Sequence, residues 1–518
     1  MKISGTGRGL RIAFRTCLLV AWAAAAARGQ DAIKRVKIDL AHVEELARHL
    51  ASQPHRPEQP EGDDAAAMKR LAALEYDAYR AIRFLPEQAI WKSENLNFQM
   101  HLFHPGYLFT RPVHINEFTR THCQRLRFVQ DLFDYSRSGV DFSLPPTLGY
   151  AGFRLHYPLN RPEFFDELIV FQGASYYRAL GKDNVYGLSS RGIAIDCAIP
   201  NVKEEFPEFR EFWVGKPEGA ARQMTMYALM DSESLAGAYQ FDLAPGDPTV
   251  IEVRATLFFR KVPRVLGVSP FSSMFWFGEN TRQGYDDYRP EVHDSDGLAI
   301  LSSSGERLWR PAANNPPRIE PHAFRLDGIR GFGLVQRDRD FEHYQDLETR
   351  METRPSVWIE PKGDWGPGHV ELVQIPTQVD IHDNIVSYWT PDAPAEPGTP
   401  IDNAWRMTWY SDDPNLPPAG RVVATRRDRG TFEDGQRFVI DFASKELRAL
   451  PAETVLEGVV TVGNGELLEQ QVVKNPVNGQ WRLTFQVRPE GGMPVEMRAF
   501  LRREEEALTE TWSYVLEP

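Results

Sequence analysis

From about Phe98 to the C-terminus the chain is broken into short stretches by glycine, proline, asparagine and aspartate. With 38 Gly and 38 Pro, few runs are long enough to sustain a helix. Inside these stretches the apolar residues recur at every second position. In Ile251 to Phe259, Ile251, Val253, Ala255 and Leu257 alternate with Glu252, Arg254 and Thr256, and Trp481, Leu483, Phe485 and Val487 alternate with Arg482, Thr484, Gln486 and Arg488. Successive strand side chains point to opposite faces, so this period gives each strand one buried face. Many such strands with few helical patterns between them predict an all-β chain built from antiparallel sandwiches rather than a doubly wound sheet.

Two helical stretches precede the strands. The first has Asp39 as its N-cap and Val43, Leu46, Ala47 and Leu50 at helical spacing. The second runs near Ala65 to Phe84, with Met68, Leu71, Leu74 and Ile82 on one side. Thr390 to Pro400 holds four prolines and a glycine in eleven residues, which resists both helix and ladder. The expected organisation is therefore a signal peptide at 1–29, a large β-sandwich domain at 30–392, a linker at 393–400 and a small β-sandwich at 401–518. The last fits an immunoglobulin-like module, with Asn464-Gly465 and Asn478-Gly479 as dipeptides favoured by hairpin turns.

Lys2, Arg8, Arg11 and Arg15 lead into the apolar run Thr16 to Ala27, followed by small residues at the position a signal peptidase reads. The run is too short to span the roughly 30 Å of hydrocarbon in a bilayer, and no other stretch is long enough, so the expectation is an exported, periplasmic protein with no membrane span. The chain carries a net charge of −13. Removal of residues 1–29 takes away five basic side chains and no acidic one, leaving −18. Such acidity, with no concentrated basic stripe, argues against a nucleic-acid partner. Cys17 leaves with the signal, while Cys123 and Cys197 either pair or stay free. Two cysteines cannot build a cysteine-rich zinc site, and no cofactor or metal is expected.

The sequence has no G-x-S-x-G elbow, no H-E-x-x-H helix, no Walker A loop and no G-x-G-x-x-G before a helix, which argues against serine hydrolases, zincins and nucleotide enzymes. What stands out is carboxylates with aromatic neighbours in two segments. One runs from Phe275 through Trp276, Glu279, Tyr288, Arg289, Glu291, His293, Asp294 and Asp296. The other runs from Glu360 through Trp365, Asp380, His382 and Asp383 to Trp389. Glycosidic hydrolysis needs one carboxylic acid to protonate the leaving oxygen and one carboxylate to activate the nucleophile, with aromatic rings to hold sugars. On a protein this acidic, the same loops also read as solvated turns, and Asp294 with Asp296 resembles calcium-ligand spacing without the rest of an EF-hand loop.

Phe164 to Gly181, Asp287 to Leu298 and Asp383 to Val386, together with Arg337-Asp338-Arg339, His343 to Asp346 and Trp358 to Pro361, resemble the periplasmic glucan biosynthesis proteins of types G and D. The unbroken Asp287 to Leu298 wording is closer to type D. The resemblance covers nearly the whole mature chain. It implies a large galactose-mutarotase-like antiparallel β-sandwich with a C-terminal immunoglobulin-like β-sandwich, acting on linear β-1,2-glucan by inverting hydrolysis or transglycosylation. The alternative is a non-catalytic glucan-binding scaffold. Carried over by position, Asp383 corresponds to the acid and Asp294 to the base, with Asp296 in reserve and His293 and Arg289 as supports. Trp276, Tyr288, Glu291, Trp365 and Trp389 are the expected sugar contacts. The possibility of a homodimer is left open.

Overall fold

A computed structural model describes residues 37–281, 284, 286–313, 316, 318–412 and 420–517. The signal segment 1–29 lies outside them. Strands are the dominant element of the described residues, arranged in largely antiparallel sheets, and the chain forms two compact units. The first runs up to Lys182 and includes Glu204–Arg264 and Ala395–Ala404; the second comprises Asp183–Lys203, Val265–Pro394 and the chain from Trp405.

In the first unit Glu208–Gly215, Met224–Asp231, Leu235–Ala244 and Thr249–Phe259 form an antiparallel meander, with His114–Phe118 added in parallel at its edge. A second sheet is built from Gln99–Phe103, Gly152–Arg161, Phe164–Gln172 and Tyr176–Ala179. Side chains from the two sheets meet through aromatic rings. Phe171 lies 5.1 Å from Phe212 and 5.4 Å from Phe241, both edge-on, the arrangement that ring quadrupoles favour. The alternation read at Ile251 to Leu257 is present: Ile251, Val253, Ala255 and Leu257 are buried and Arg254 is exposed. The opposite face is partly covered as well, because the helix Leu40–Ala51, capped by Asp39, lays Val43 and Ala47 on Trp213, Leu229, Ala236 and Phe258. The second helical stretch is split into Gly62–Ala72 and Tyr76–Arg80, and Arg83–Phe84 is a short strand.

In the second unit Leu266–Ser273, Ile385–Pro391, Gly368–Gln374 and Glu320–Leu326 pair antiparallel in that order. Another sheet orders Glu457–Gly463, Val495–Arg503, Thr511–Leu516, Arg307–Pro311, Gly297–Ser302, Ile329–Val335 and Ser356–Pro361, and Ser356–Pro361 then pairs with Trp405 to Tyr410. Arg421–Asp428, Gln436–Ala443, Trp481–Pro489 and Gly465–Lys474 form a four-stranded sheet. Its Phe438, Ile440, Leu483 and Phe485 pack on Met497, Ala499, Leu501 and Trp512, giving the C-terminal sandwich its core.

These units are drawn differently from the segments 30–392 and 401–518, because strands from both sides of residues 393–400 share one sheet: Leu308 pairs with Thr511 and Pro361 with Trp405. The two Asn-Gly dipeptides also differ. Asn478-Gly479 closes a hairpin in which Lys474 faces Trp481, whereas Asn464, with φ of 58°, turns the chain out of one sheet and into the other. Cys123 and Cys197 are not joined in a disulfide.

Candidate active site

The two acidic segments hang from one stretch of backbone in the second unit. Ser273 pairs with Ile385 on one side, and Phe275 pairs with His293 on the other. Asn384 is buried and fixes the first junction, its Oδ1 accepting from Phe275 N at 2.8 Å and its Nδ2 donating to Phe275 O at 2.9 Å. At the second, Asp294 N donates to Met274 O at 2.8 Å and the Ser273 and Ser295 hydroxyls meet at 2.8 Å. Residues 273–275 thus anchor Asp383 through its neighbour Asn384, and Asp294 directly.

Asp383 is exposed, and its Oδ2 accepts from Ser189 Oγ at 3.3 Å. Asp294 is buried and ion-paired with Arg354. Asp296 accepts from the backbone N–H of Arg337, and from that of Asp338 at 3.0 Å, while its other oxygen lies 3.3 Å from His293 Nδ1. His293 is enclosed. Its Nδ1 faces Gln336 Oε1 at 2.9 Å and its Nε2 faces Glu291 Oε2 at 3.1 Å. Glu291 in turn meets His343 Nδ1 at 3.1 Å.

Arg289 does not serve Asp294, as the sequence suggested. It bonds Asp287 at 2.7 Å, Asp346 at 3.3 Å and Asp380 at 2.8 Å, so it braces the loop that carries Asp383. Of the expected sugar contacts, Tyr288 is 73% exposed, while Trp276 and Trp365 are half-buried. Trp389 is 1% exposed and Glu291 is buried, so neither offers a free surface to a sugar. Trp389 is a core ring packed 6.4 Å from Trp365, and Glu291 is a partner of two histidines.

Two acids named in the sequence reading were given no place in the site. Glu279, from the Phe275 to Asn280 run, accepts from Thr425 N at 2.7 Å, and with Asp296, Asp338 and His293 it lines a cavity of about 30 Å³. Burial and the nearby Glu291 charge lift its pKa from 4.5 to about 8. Asp338 is raised as well, by burial and by the charges of Asp296 and Glu279. Burial opposes the charged forms of Glu291 and His293, yet their mutual attraction prevails, aided by His343 and Asp296: Glu291 is held at about 2 and His293 at about 9. Glu279 stood in the aromatic run without a sign that it is buried; Asp338 sits in an Arg-Asp-Arg context that reads as surface. Glu291, His293, Asp296 and Asp338 place ligand atoms within 4.8 Å of one another. That spacing would admit a cation, but both ring nitrogens of His293 are already engaged by protein groups.

The cluster gives stability a sign with pH. Glu279 keeps its proton to about 8 rather than 4.5, so the folded state binds more protons than the unfolded one and stability falls as pH rises from about 4.5 through 8. The contribution of His293 is full below 6.5 and is lost as pH rises through about 9. That of Glu291 runs the other way, present above 4.5 and lost as pH falls through about 2. The expected thermal unfolding midpoint therefore drops between pH 6.5 and 9, and Glu279→Gln flattens the part below pH 8. A midpoint that is level or rises across this interval would contradict the assignment.

No helix among the described residues is long and apolar enough to cross a membrane. The profile of the periplasmic glucan biosynthesis protein family, MdoG, matches residues 38–516. A glucans biosynthesis protein G of Ralstonia nicotianae is 42% identical over 483 residues, which is 91% of this chain and 94% of the relative. One from Rhodopseudomonas palustris is 42% identical over 490 residues, covering 94% of this chain and 95% of the relative. Both carry the type G name, so they lend no support to a closer affinity with type D. The profile spans both structural units and both acidic segments, and the chain belongs to the periplasmic glucan biosynthesis protein family, MdoG.

Proposed function

We propose that the protein is a periplasmic enzyme acting on linear β-1,2-glucan backbones, as an inverting hydrolase or transglycosylase, within glucan biosynthesis. In this reading Asp383 is the general acid and Asp294 the base that activates water or a sugar hydroxyl, while Asp296, His293 and Arg289 position the loops. The observation that supports it is the anchoring of both carboxylate segments on residues 273–275, with one acid exposed and the other facing a guanidinium. The exposed Asp383 suits a group that must meet substrate, and Arg354 favours the ionised form that a base requires. Tyr288 and the half-buried Trp276 and Trp365 remain as candidates to carry sugar faces.

The test is incubation of the mature protein with linear β-1,2-glucan, following chain length and the anomeric configuration of new ends by NMR. Shortened or cyclised chains with inverted configuration are expected. Glucan that is bound but never altered would favour the scaffold reading.

A further inference from the structure

The first unit holds a cavity of about 190 Å³ that the proposed chemistry does not use. All its lining residues belong to that unit. The segment between helices Leu40–Ala51 and Gly62–Ala72 supplies Glu58, whose two oxygens lie 2.6 Å from His114 Nε2 and 2.5 Å from Arg210 Nη2. Arg210 also bonds Asp231 at 3.0 Å, and elsewhere in the lining the half-exposed Arg111 meets Glu208 at 2.8 Å. Phe109 lies against the turn at Gly173, where a Cβ would come within 3.3 Å of its ring, and φ of 76° suits glycine there. Tyr79 lies 6.1 Å from Phe109 and 5.9 Å from Tyr107, which is itself 5.9 Å from the exposed Tyr76, so an aromatic surface continues from the cavity.

The lining selects among ligands by charge. Arg111 and Arg210, with Arg260 paired to Asp231 at 2.8 Å, balance Glu58, Glu208 and Asp231, so a phosphate or sulfate meets no net attraction. Each of these carboxylates also has an arginine partner, which leaves no bare acidic cage for a cation. A guanidinium carries five N–H donors and a carboxylate has several lone pairs, so ion-paired groups retain edges for hydroxyls, and the ring of Phe109 suits the C–H face of a sugar. The space is of the order of one hexose. We propose that this cavity is a non-catalytic saccharide site that holds a single glucosyl unit of a glucan chain; the identity of the sugar rests on the glucan reading above.

The test uses the full chain carrying Asp383→Asn, so that substrate is not consumed, and titrates it with the β-1,2-linked glucose disaccharide by calorimetry and hydrogen exchange. Binding with protection of residues 106–113 and 173–174 is expected. Arg111→Ala, at a side chain 51% exposed, and Thr110→Trp, which adds a large ring to the lining, should each weaken that binding class at least tenfold. In the otherwise native chain both variants should leave turnover of short glucans within twofold. Unchanged binding and no protection in these segments would overturn the proposal even if turnover is present. Binding that depends on Arg111 in a protein that never alters glucan would uphold the site and remove the enzymatic reading. Displacement of the sugar by inorganic phosphate at this site would also overturn the proposal.

Discussion

Asp383→Asn is expected to lower turnover of linear β-1,2-glucan by about 10²–10⁴-fold, the usual contribution of a general acid, with glucan affinity nearly unchanged. The replacement is close to isosteric. Asp383 is exposed, its Oδ2 accepts from Ser189 Oγ at 3.3 Å, and the loop is held independently by Asn384 on Phe275 and by Arg289 on Asp380. A fold defect is therefore not expected to mimic the loss. The check is initial rates beside calorimetric binding of the same glucan. A fall of less than about tenfold corresponds to only about 1.4 kcal/mol of barrier and would remove Asp383 from the acid role. Asp294→Asn is the companion measurement: if it keeps turnover while Asp296→Asn loses it, the base lies two residues further along.

Arg337→Met should give the largest loss of stability. The guanidinium bonds Glu510 at 2.5 and 3.0 Å, donates to Val422 O at 2.6 Å and lies over the Trp309 ring at 3.5 Å, and the two charged side chains are only 6% and 1% exposed. Removing the arginine leaves the Glu510 carboxylate enclosed with only the Val422 N–H at 2.7 Å and the more distant charge of Arg421 to offset it, a situation that costs about 3–5 kcal/mol. Denaturant unfolding of the full chain should show the lower midpoint. Arg337→Met with Glu510→Gln should regain much of it, because the stranded charge is then gone. A double variant no more stable than the single would assign the loss to packing on Trp309 and not to the ion pair.

What could be read from sequence divides along physical lines. Alternation identifies a strand because the buried face is a local property, and Ile251 to Leu257 and Trp481 to Val487 follow it. Where a strand goes next is not local. Asn464-Gly465 and Asn478-Gly479 look alike, yet only the second joins neighbouring strands. The paired acidic segments were visible as residue types, but their surroundings were not. Arg354, which faces Asp294, is sixty positions away, and Thr425, which donates to Glu279, is 146 away. Trp389 looked like a sugar platform until Trp365 and the neighbouring strands enclosed it. Asp294 and Asp296 fall where the chain passes from Val292–His293 into Gly297–Ser302, so period two could not separate the one that faces Arg354 from the one held by the backbone of residues 337 and 338.

The stretch 273–277 acts as a ruler between the two acids. The offset of Asp383 from Asp294 is set by the pitch of a pleated backbone and two ladders, not by how far any hinge has swung. The ladders are not featureless: register slips between Val268 and Phe271 on one side and between Phe275 and Phe277 on the other. Both irregularities lie outside residues 273–275 and can take up an inserted or deleted residue, whereas one within 273–275 would slide one acidic segment past the other by about 3.3 Å. If the two carboxylates act as proposed, their separation would change in discrete steps, the kind of change that would separate a site that admits water from one that admits only a sugar hydroxyl.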